Sequence, residues 1–159
     1  MRLDRRSFLA GAIALYSCGE APKQEATDKK FSLPDLPKPI ADDVKFPTPK
    51  RTSIQVVGKN LLGLEFLAGG NVADYSDGKK QYKLFTIRCR TAQQAGTYIF
   101  DIKSQLKDPK FVASYGGYFA DTAAGPLFVF AKGSYIAGIL GLSEEDAIQT
   151  GKDFASRIF

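Results

Sequence analysis

The sequence predicts an α+β fold, in which an antiparallel sheet of five or six strands carries two amphipathic helices on one face. Three observations predict this fold. Several segments rich in β-branched and aromatic residues alternate in hydrophobicity, as strands do. Turn dipeptides separate some of these segments at hairpin spacing. Two other segments carry apolar residues every three or four positions, which is typical of amphipathic helices. Strands joined mainly by hairpins form antiparallel sheets that helices can cover.

The first half of the predicted domain contains three strands. Thr52–Val57 is rich in β-branched residues and predicts a strand. The apolar run Leu61–Leu67 fits either a strand or a buried helix. Asn71–Tyr75 and Gln81–Arg90 flank the dipeptide Asp77-Gly78, so these two segments predict a hairpin.

A helix follows at Thr91. Thr91 and Gln94 have the spacing of a capping box, and Asp108-Pro109 ends the helix because the residue before proline avoids helical geometry. Its apolar stripe consists of Ala92, Ala95, Ile99, Ile102 and Leu106.

The second half repeats this order. Phe111–Phe119 predicts a strand with a bulge or a bend at Gly116-Gly117, and Leu127–Lys132 with Tyr135–Leu140 predicts a hairpin. Ser143 caps a last helix, whose inner stripe is Ala147, Gly151, Phe154 and Ile158. The two helices align at a shift of 52 residues, from Thr91 to Ser143. A duplicated strand–strand–helix unit is one interpretation, and the general similarity of amphipathic helices is the other.

The N-terminal segment MRLDRRSFLAGAIALYSC combines a charged start, a short apolar run and a small residue before a cysteine. Arg5 and Arg6 precede Phe8 and Leu9 in the order R-R-x-F-L, and the segment ends at Cys18. It resembles the signal peptide of twin-arginine bacterial lipoproteins. The resemblance implies export of a folded protein, a signal peptide at residues 1–17, and a lipid anchor on Cys18 in the bacterial cell envelope. The alternative is an uncleaved amphipathic start on a cytosolic protein.

Residues 18–51 predict a tether between the lipidated cysteine and a single domain at residues 52–159. Six of the eight prolines lie in this stretch, and proline favours a semi-rigid extended chain. Phe31, Leu36 and Phe46 are among the apolar residues that interrupt it, and they offer contacts for the domain or for a partner.

The composition excludes several kinds of chemistry. The chain contains no histidine, which removes the commonest general base and metal ligand. Ser-His-Asp triads are therefore impossible within the chain, and two cysteines cannot form a thiolate zinc site. The sequence predicts no catalytic residue, no metal site and no cofactor. A net charge of +5 without a long basic block does not indicate nucleic acid as a partner.

The densest aromatic segment extends from Phe111 to Tyr135. It predicts either an exposed contact face or the core of the sheet. Strand alternation favours the core for Phe111, Phe128 and Phe130. Tyr115 and Tyr118 are the candidates for a contact face, because the glycines between them change which side each ring takes.

For three further candidate sites, a structural role explains the residues better than a functional one does. Cys89 lies between Arg88 and Arg90, whose charges favour a thiolate, but alternation places the thiol on the opposite side as a buried apolar group. Oxygen ligands from Asn71, Asp74 and Asp77 match the spacing of no known calcium loop. Lys132 beside Ser134 suggests a Ser-Lys pair, although a hairpin tip is solvated.

We therefore expect a non-catalytic accessory or protein-binding module that reaches the membrane through its lipid anchor. One alternative is a carrier of a small apolar ligand on the aromatic sheet face, which a concave apolar cavity would favour. The other is an enzyme without histidine, which a cleft gathering Asp, Lys and Tyr of shifted pKa would favour. The sequence leaves the oligomeric state open. Residues 125–158 also resemble the hairpin-then-helix ends of uncharacterised bacterial envelope domains, which implies a fold tendency and no activity.

Replacing Cys18 with alanine tests the lipid anchor. We expect Cys18→Ala to release the protein from membranes or to leave the signal peptide uncleaved, because the variant lacks the sulfur that carries the lipid. Membrane fractionation and intact mass measure both outcomes, with Cys89→Ala as the control that keeps the anchor. Unchanged fractionation and mass in Cys18→Ala would contradict the assignment.

Overall fold

Seven antiparallel strands form one sheet in the computed structural model, which describes residues 31–159. The strands are β1 (Arg51–Lys59), β2 (Ala68–Ser76), β3 (Gln81–Arg88), β4 (Lys110–Val112), β5 (Gly117–Thr122), β6 (Gly125–Lys132) and β7 (Tyr135–Leu140). The helices are α1 (Ala92–Gln105) and α2 (Glu144–Ser156), and short 3-10 turns lie at Asp43–Lys45 and Leu61–Gly63. The strand order across the sheet is β1-β2-β3-β7-β6-β5-β4.

The predicted α+β class is confirmed, with one strand more than the upper estimate. The segment Phe111–Phe119 does not form one bent strand but divides into β4 and β5. A tight turn separates them, in which the Tyr115 N–H donates to the Val112 carbonyl and Gly116 adopts a φ of +62°. Glycine adopts this left-handed backbone without a steric penalty. The paired glycines therefore mark a reversal of the chain rather than a bulge.

Both predicted helix N-termini are confirmed by their caps. The Thr91 hydroxyl accepts a hydrogen bond from the Gln94 N–H at 3.0 Å, and Gln94 Oε1 accepts from the Arg90 N–H at 2.8 Å. The Ser143 hydroxyl accepts from the Asp146 N–H at 3.3 Å. These bonds satisfy N–H groups that have no partner inside the helix.

The two helices lie on opposite faces of the sheet, so the expectation that they share one face is wrong. Leu127 and Val129 pack in the cluster that contains α1, whereas Phe128 and Phe130 pack in the cluster that contains α2. None of the four is more than 1% exposed. A strand buried on both sides has a continuous apolar run, and β6 has this run. We call the two sides the α1 face and the α2 face.

This arrangement argues against a simple duplication. The order β1-β2-β3 mirrors β5-β6-β7 about the central β3–β7 pair. A two-fold axis perpendicular to the sheet could superpose the strands, but it would leave both helices on the same face. No single rotation therefore superposes the two halves with their helices, and the likeness at a shift of 52 residues remains local.

Residues 31–50, which we call the strap, lie against both faces of the sheet. Phe31 and Leu36 pack against the α1-face cluster, and Phe46 is 2% exposed in the α2-face cluster. Asn71 fixes the crossing, since its side-chain amide donates to the Ile40 carbonyl at 2.8 Å and its carbonyl oxygen accepts from the Asp42 N–H. The compact unit therefore begins at Phe31, not at residue 52.

Further polar contacts hold the last part of the strap. The Tyr75 hydroxyl donates to the Pro47 carbonyl at 2.6 Å. Lys45 is buried, with its ammonium 4.8 Å from the ring centre of Tyr135 and 4.7 Å from that of Phe159. Asp42 lies 3.7 Å from the same ammonium. A buried cation needs such partners, because an unpaired charge is costly away from water.

Two substitutions in the strap test whether it belongs to the core. Phe46→Ala should lower the free energy of unfolding by about 3–5 kcal/mol, the usual cost of truncating a buried aromatic ring. Val44→Ala, two residues away at a side chain that is 82% exposed, should change it by less than about 0.5 kcal/mol. Urea melts of the full chain measure both. Equal, small effects would show that the strap only rests on the surface.

Candidate functional site

The sequence-predicted site residues fall into two groups. Arg5, Arg6, Phe8, Leu9 and Cys18 lie outside the described residues. Tyr115 and Tyr118 lie within them, at the β4–β5 reversal. Between residues 31 and 159, neither helix has the length and hydropathy to cross a bilayer.

Tyr115 supports α2 rather than forming an open contact surface. Its hydroxyl donates to the Ile148 carbonyl of α2 at 2.7 Å. Its ring meets Phe128 edge-on at 5.0 Å between centroids and lies 5.1 Å from Phe130. Gly151 leaves the space that this contact needs, because a Cβ there would lie 3.0 Å from the Tyr115 hydroxyl oxygen. Tyr115 therefore fastens the helix to the α2 face.

Tyr118 lies on the opposite side of the sheet and is only 6% exposed. It belongs to the α1-face cluster. Tyr115 and Tyr118 therefore do not form one contact face, and the expectation that pairs them is wrong. The alternation of side chains across the sheet separates them, together with the turn at Gly116.

An aromatic surface does exist beside Tyr118, built around Phe111. Phe111 pairs with Tyr118 across β4 and β5, and their ring centroids are 5.6 Å apart. Phe111 is 58% exposed, so the expectation that it lies in the core is wrong. The reason is the position of β4 at the sheet edge, where no further strand covers the ring. Phe128 and Phe130, in contrast, are confirmed as core residues.

α1 contributes the remaining members of this surface. The Lys103 ammonium lies 5.2 Å from the ring centre of Tyr118. Phe100 lies one helical turn before Lys103, where side chains are neighbours, and it is 63% exposed. We call Phe100, Lys103, Phe111 and Tyr118 the aromatic–lysine patch.

Sequence reasoning missed Phe100, although a signal was present. The inner stripe of α1 includes Ile99 and Ile102, and Phe100 falls between them on the outer side. A large aromatic side chain on the polar side of an amphipathic helix is not explained by the core. The sequence could therefore have identified this position, but not the contact of its neighbour Lys103 with Tyr118, which depends on how α1 lies over the sheet.

Cys89 is a buried structural residue. It is 3% exposed in the α1-face cluster, and burial raises the pKa of its thiol to about 11. The structure confirms the apolar interpretation, since a thiol that keeps its proton is a poor nucleophile.

The candidate oxygen ligands for a metal ion do not lie together, and the candidate Ser-Lys pair does not form. Asn71 binds the strap on the α2 face, whereas Asp74 pairs with Lys83 on the α1 face. Asp77 accepts from the N–H groups of Lys79 and Lys80 in the hairpin turn. Within the described part of the chain, no group of three or more acidic or thiol side chains could hold a metal ion. Lys132 binds the Ala155 carbonyl rather than Ser134.

A groove of about 630 Å³ opens at the hairpin end of β2 and β3. Asp74, Lys83, Tyr75 and Tyr82 are among its lining residues, together with Gly141. A groove with an ion pair on its wall is not the concave apolar cavity that would favour a ligand carrier. It does contain the Asp, Lys and Tyr combination that could indicate an enzyme, so their electrostatics matter.

The pKa values of the acidic and phenolic side chains in this groove are shifted away from neutral pH. Burial alone would raise the pKa of Asp74, but hydrogen bonds from Lys83 and from Ser53 at 2.6 Å outweigh it and lower the value. Burial raises the pKa of Tyr75 to about 12 and also raises that of Tyr82. Acid–base catalysts have pKa values near the working pH. These groups form an ion pair and a stacked tyrosine pair.

Comparison with known proteins adds no functional assignment. No protein-family model matches the chain, and neither a curated protein nor a solved structure matches it. The function must therefore be inferred from the residues themselves.

The burial of Cys89 predicts low reactivity and a loss of stability at alkaline pH. In a Cys18→Ser background, the Cys89 thiol should react slowly with a disulfide reagent at about pH 8, while an added surface thiol, Ser104→Cys, reacts at once.

Unfolding exposes Cys89 and returns its pKa to about 9, so the folded form binds the proton more tightly. Its contribution to stability should therefore disappear as pH rises from 9.0 to about 11. Equal labelling rates for the two thiols would contradict this assignment.

Proposed function

We propose that this protein is a lipid-anchored accessory module of the bacterial cell envelope that binds another protein through its aromatic–lysine patch and catalyses no reaction. The observation that carries the proposal is the exposure of Phe100 and Phe111, two large rings connected through Lys103 and Tyr118. The R-R-x-F-L signal and Cys18 support the location, and the absence of histidine supports a non-catalytic role.

The chemistry of the patch suits protein recognition. Aromatic residues dominate the binding energy of many interfaces, because large rings bury much apolar area with few rotatable bonds. Phe111 already rests on Tyr118, and Lys103 already lies over the same ring. Preorganised side chains lose little further entropy on binding. The patch therefore offers two exposed apolar rings and a cation that lies over Tyr118.

The positions of these residues separate binding from folding. Phe100 and Phe111 are exposed, so their contribution to the core is small. Tyr118 beneath them is buried and connects the patch to the α1-face cluster. The patch can therefore be altered through the two phenylalanines while Tyr118 and the fold are left intact.

Photo-crosslinking in the bacterium that encodes the protein tests the proposal. A photoreactive phenylalanine at position 111 should give one discrete protein adduct, and the same residue at position 44, which is exposed elsewhere, should not. Phe100→Ser should reduce the adduct at position 111 because it removes the neighbouring anchor. The same substitution should change the free energy of unfolding, measured by thermal melts, by less than about 0.5 kcal/mol, because Phe100 is exposed.

Two outcomes would contradict the proposed function. Equal adducts at positions 111 and 44 would indicate random collisions at the surface. A measurable turnover of any small molecule that is abolished by Lys83→Ala would indicate an enzyme at the groove instead.

A further inference from the structure

We propose that the outer edge of β1 binds an extended segment of another protein, which adds a strand to the sheet and carries acidic residues at its two ends. This edge is distinct from the aromatic–lysine patch, and the inference does not rest on the proposed function. It rests on the length, the backbone pattern and the charges of β1.

The two edges of the sheet differ in how open they are. β4 has only three residues and follows Pro109 directly, so that edge offers little backbone to a partner. β1 has nine residues and pairs with β2 alone among the described strands. Proteins normally protect such an edge with proline, inward-pointing charge or a short strand. Between Arg51 and Lys59, β1 has no proline and no charged residue.

The register of β1 shows which backbone groups are free. The Ser76 N–H of β2 donates to the Lys50 carbonyl, so residues of β2 in phase with Ser76 direct their backbone toward β1. These include Asp74 and Val72, which pair with Ser53 and Gln55. The alternate residues of β1 then direct their N–H and C=O groups outward. They are Ile54 and Val56.

The side chains around these groups suit an added strand. Ile54 and Val56 are β-branched, and Val56 is 44% exposed. β-Branched residues favour extended backbone and pack well beside a neighbouring strand. The edge therefore combines free backbone groups with apolar side chains that a partner strand would cover.

The charges at the two ends of β1 indicate whether a second copy of this chain or a different protein binds the edge. In the antiparallel two-fold pair that aligns the full length of two β1 strands, Arg51 of each copy would lie opposite Lys59 of the other. Like charges directly opposite each other destabilise a strand pair. A strand with acidic ends would instead place a carboxylate opposite each cation. The edge therefore favours a different partner with acidic flanks over self-association.

Two synthetic peptides test this inference with the full chain carrying Cys18→Ser. Both alternate threonine and valine over the length of β1, one with glutamate and the other with lysine at both ends. Fluorescence anisotropy should show that the glutamate peptide binds about tenfold more tightly or better. Hydrogen exchange should show new protection of the N–H groups of Ile54 and Val56.

Variants of β1 separate backbone pairing from charge. Val56→Pro should abolish binding, because it removes an outward N–H and no bond to β2. Val56→Thr, the matched control, should bind normally because it keeps the N–H. Lys59→Glu should reduce the preference for the glutamate peptide. Phe100→Ser should leave peptide binding unchanged, which distinguishes this edge from the patch.

Three results would overturn the inference. Equal affinity for the two peptides would show that the charged ends do not select the partner. Binding without protection of β1 would place the peptide elsewhere. Concentration-dependent dimerisation that protects β1, with no peptide binding, would identify a second copy as the occupant. If Val56→Pro fails to fold, Lys59→Glu and hydrogen exchange still decide the matter.

Discussion

The burial of β6 and β7 on both sides is the constraint on which the rest of the structure depends. Leu127, Phe128, Val129 and Phe130 alternate between two clusters, and each cluster needs a cover from outside the sheet. α1 covers one side and α2 the other, while the strap completes both. Because the apolar cover is concentrated on the central strands, the outer parts of the sheet stay accessible. The exposed features, Phe111 on β4 and the free edge of β1, both lie at this periphery.

Much of the fold could be predicted because its signals are local. The caps at Thr91 and Ser143, the Asp77-Gly78 turn and the hairpin after Lys132 all depend on neighbours in sequence, and the structure has each of them. The side of the sheet on which a helix packs is not local. The fully apolar run in β6 was the available signal, since a strand with one solvated side would alternate with polar residues.

The candidate site was harder to predict, because it depends on contacts between distant elements. Tyr115 and Tyr118 are close in sequence, but the turn at Gly116 places them on opposite sides of the sheet. Phe111 and Lys103 lie on different elements, and the path of α1 brings Lys103 over the Tyr118 ring that Phe111 contacts. The prolines predicted a tether outside the domain, whereas Phe31, Leu36 and Phe46 carried the contrary signal, and all three pack against the sheet.

If Cys18 carries the proposed lipid, the position of the strap also limits how far the domain can travel from the membrane. If residues 19–50 formed a free spacer, a lipid on Cys18 would let the domain explore a hemisphere about 100 Å in radius, at 3.1 Å per residue. With residues 31–50 held on the sheet, only residues 19–30 separate the anchor from the compact unit. A fully extended chain of that length spans about 40 Å. Because volume falls with the cube of the radius, the space that the domain samples shrinks by roughly an order of magnitude. In a lipid-anchored protein, the same fold that buries Phe46 would hold the two proposed binding surfaces near the bilayer, within reach of partners in or on that membrane.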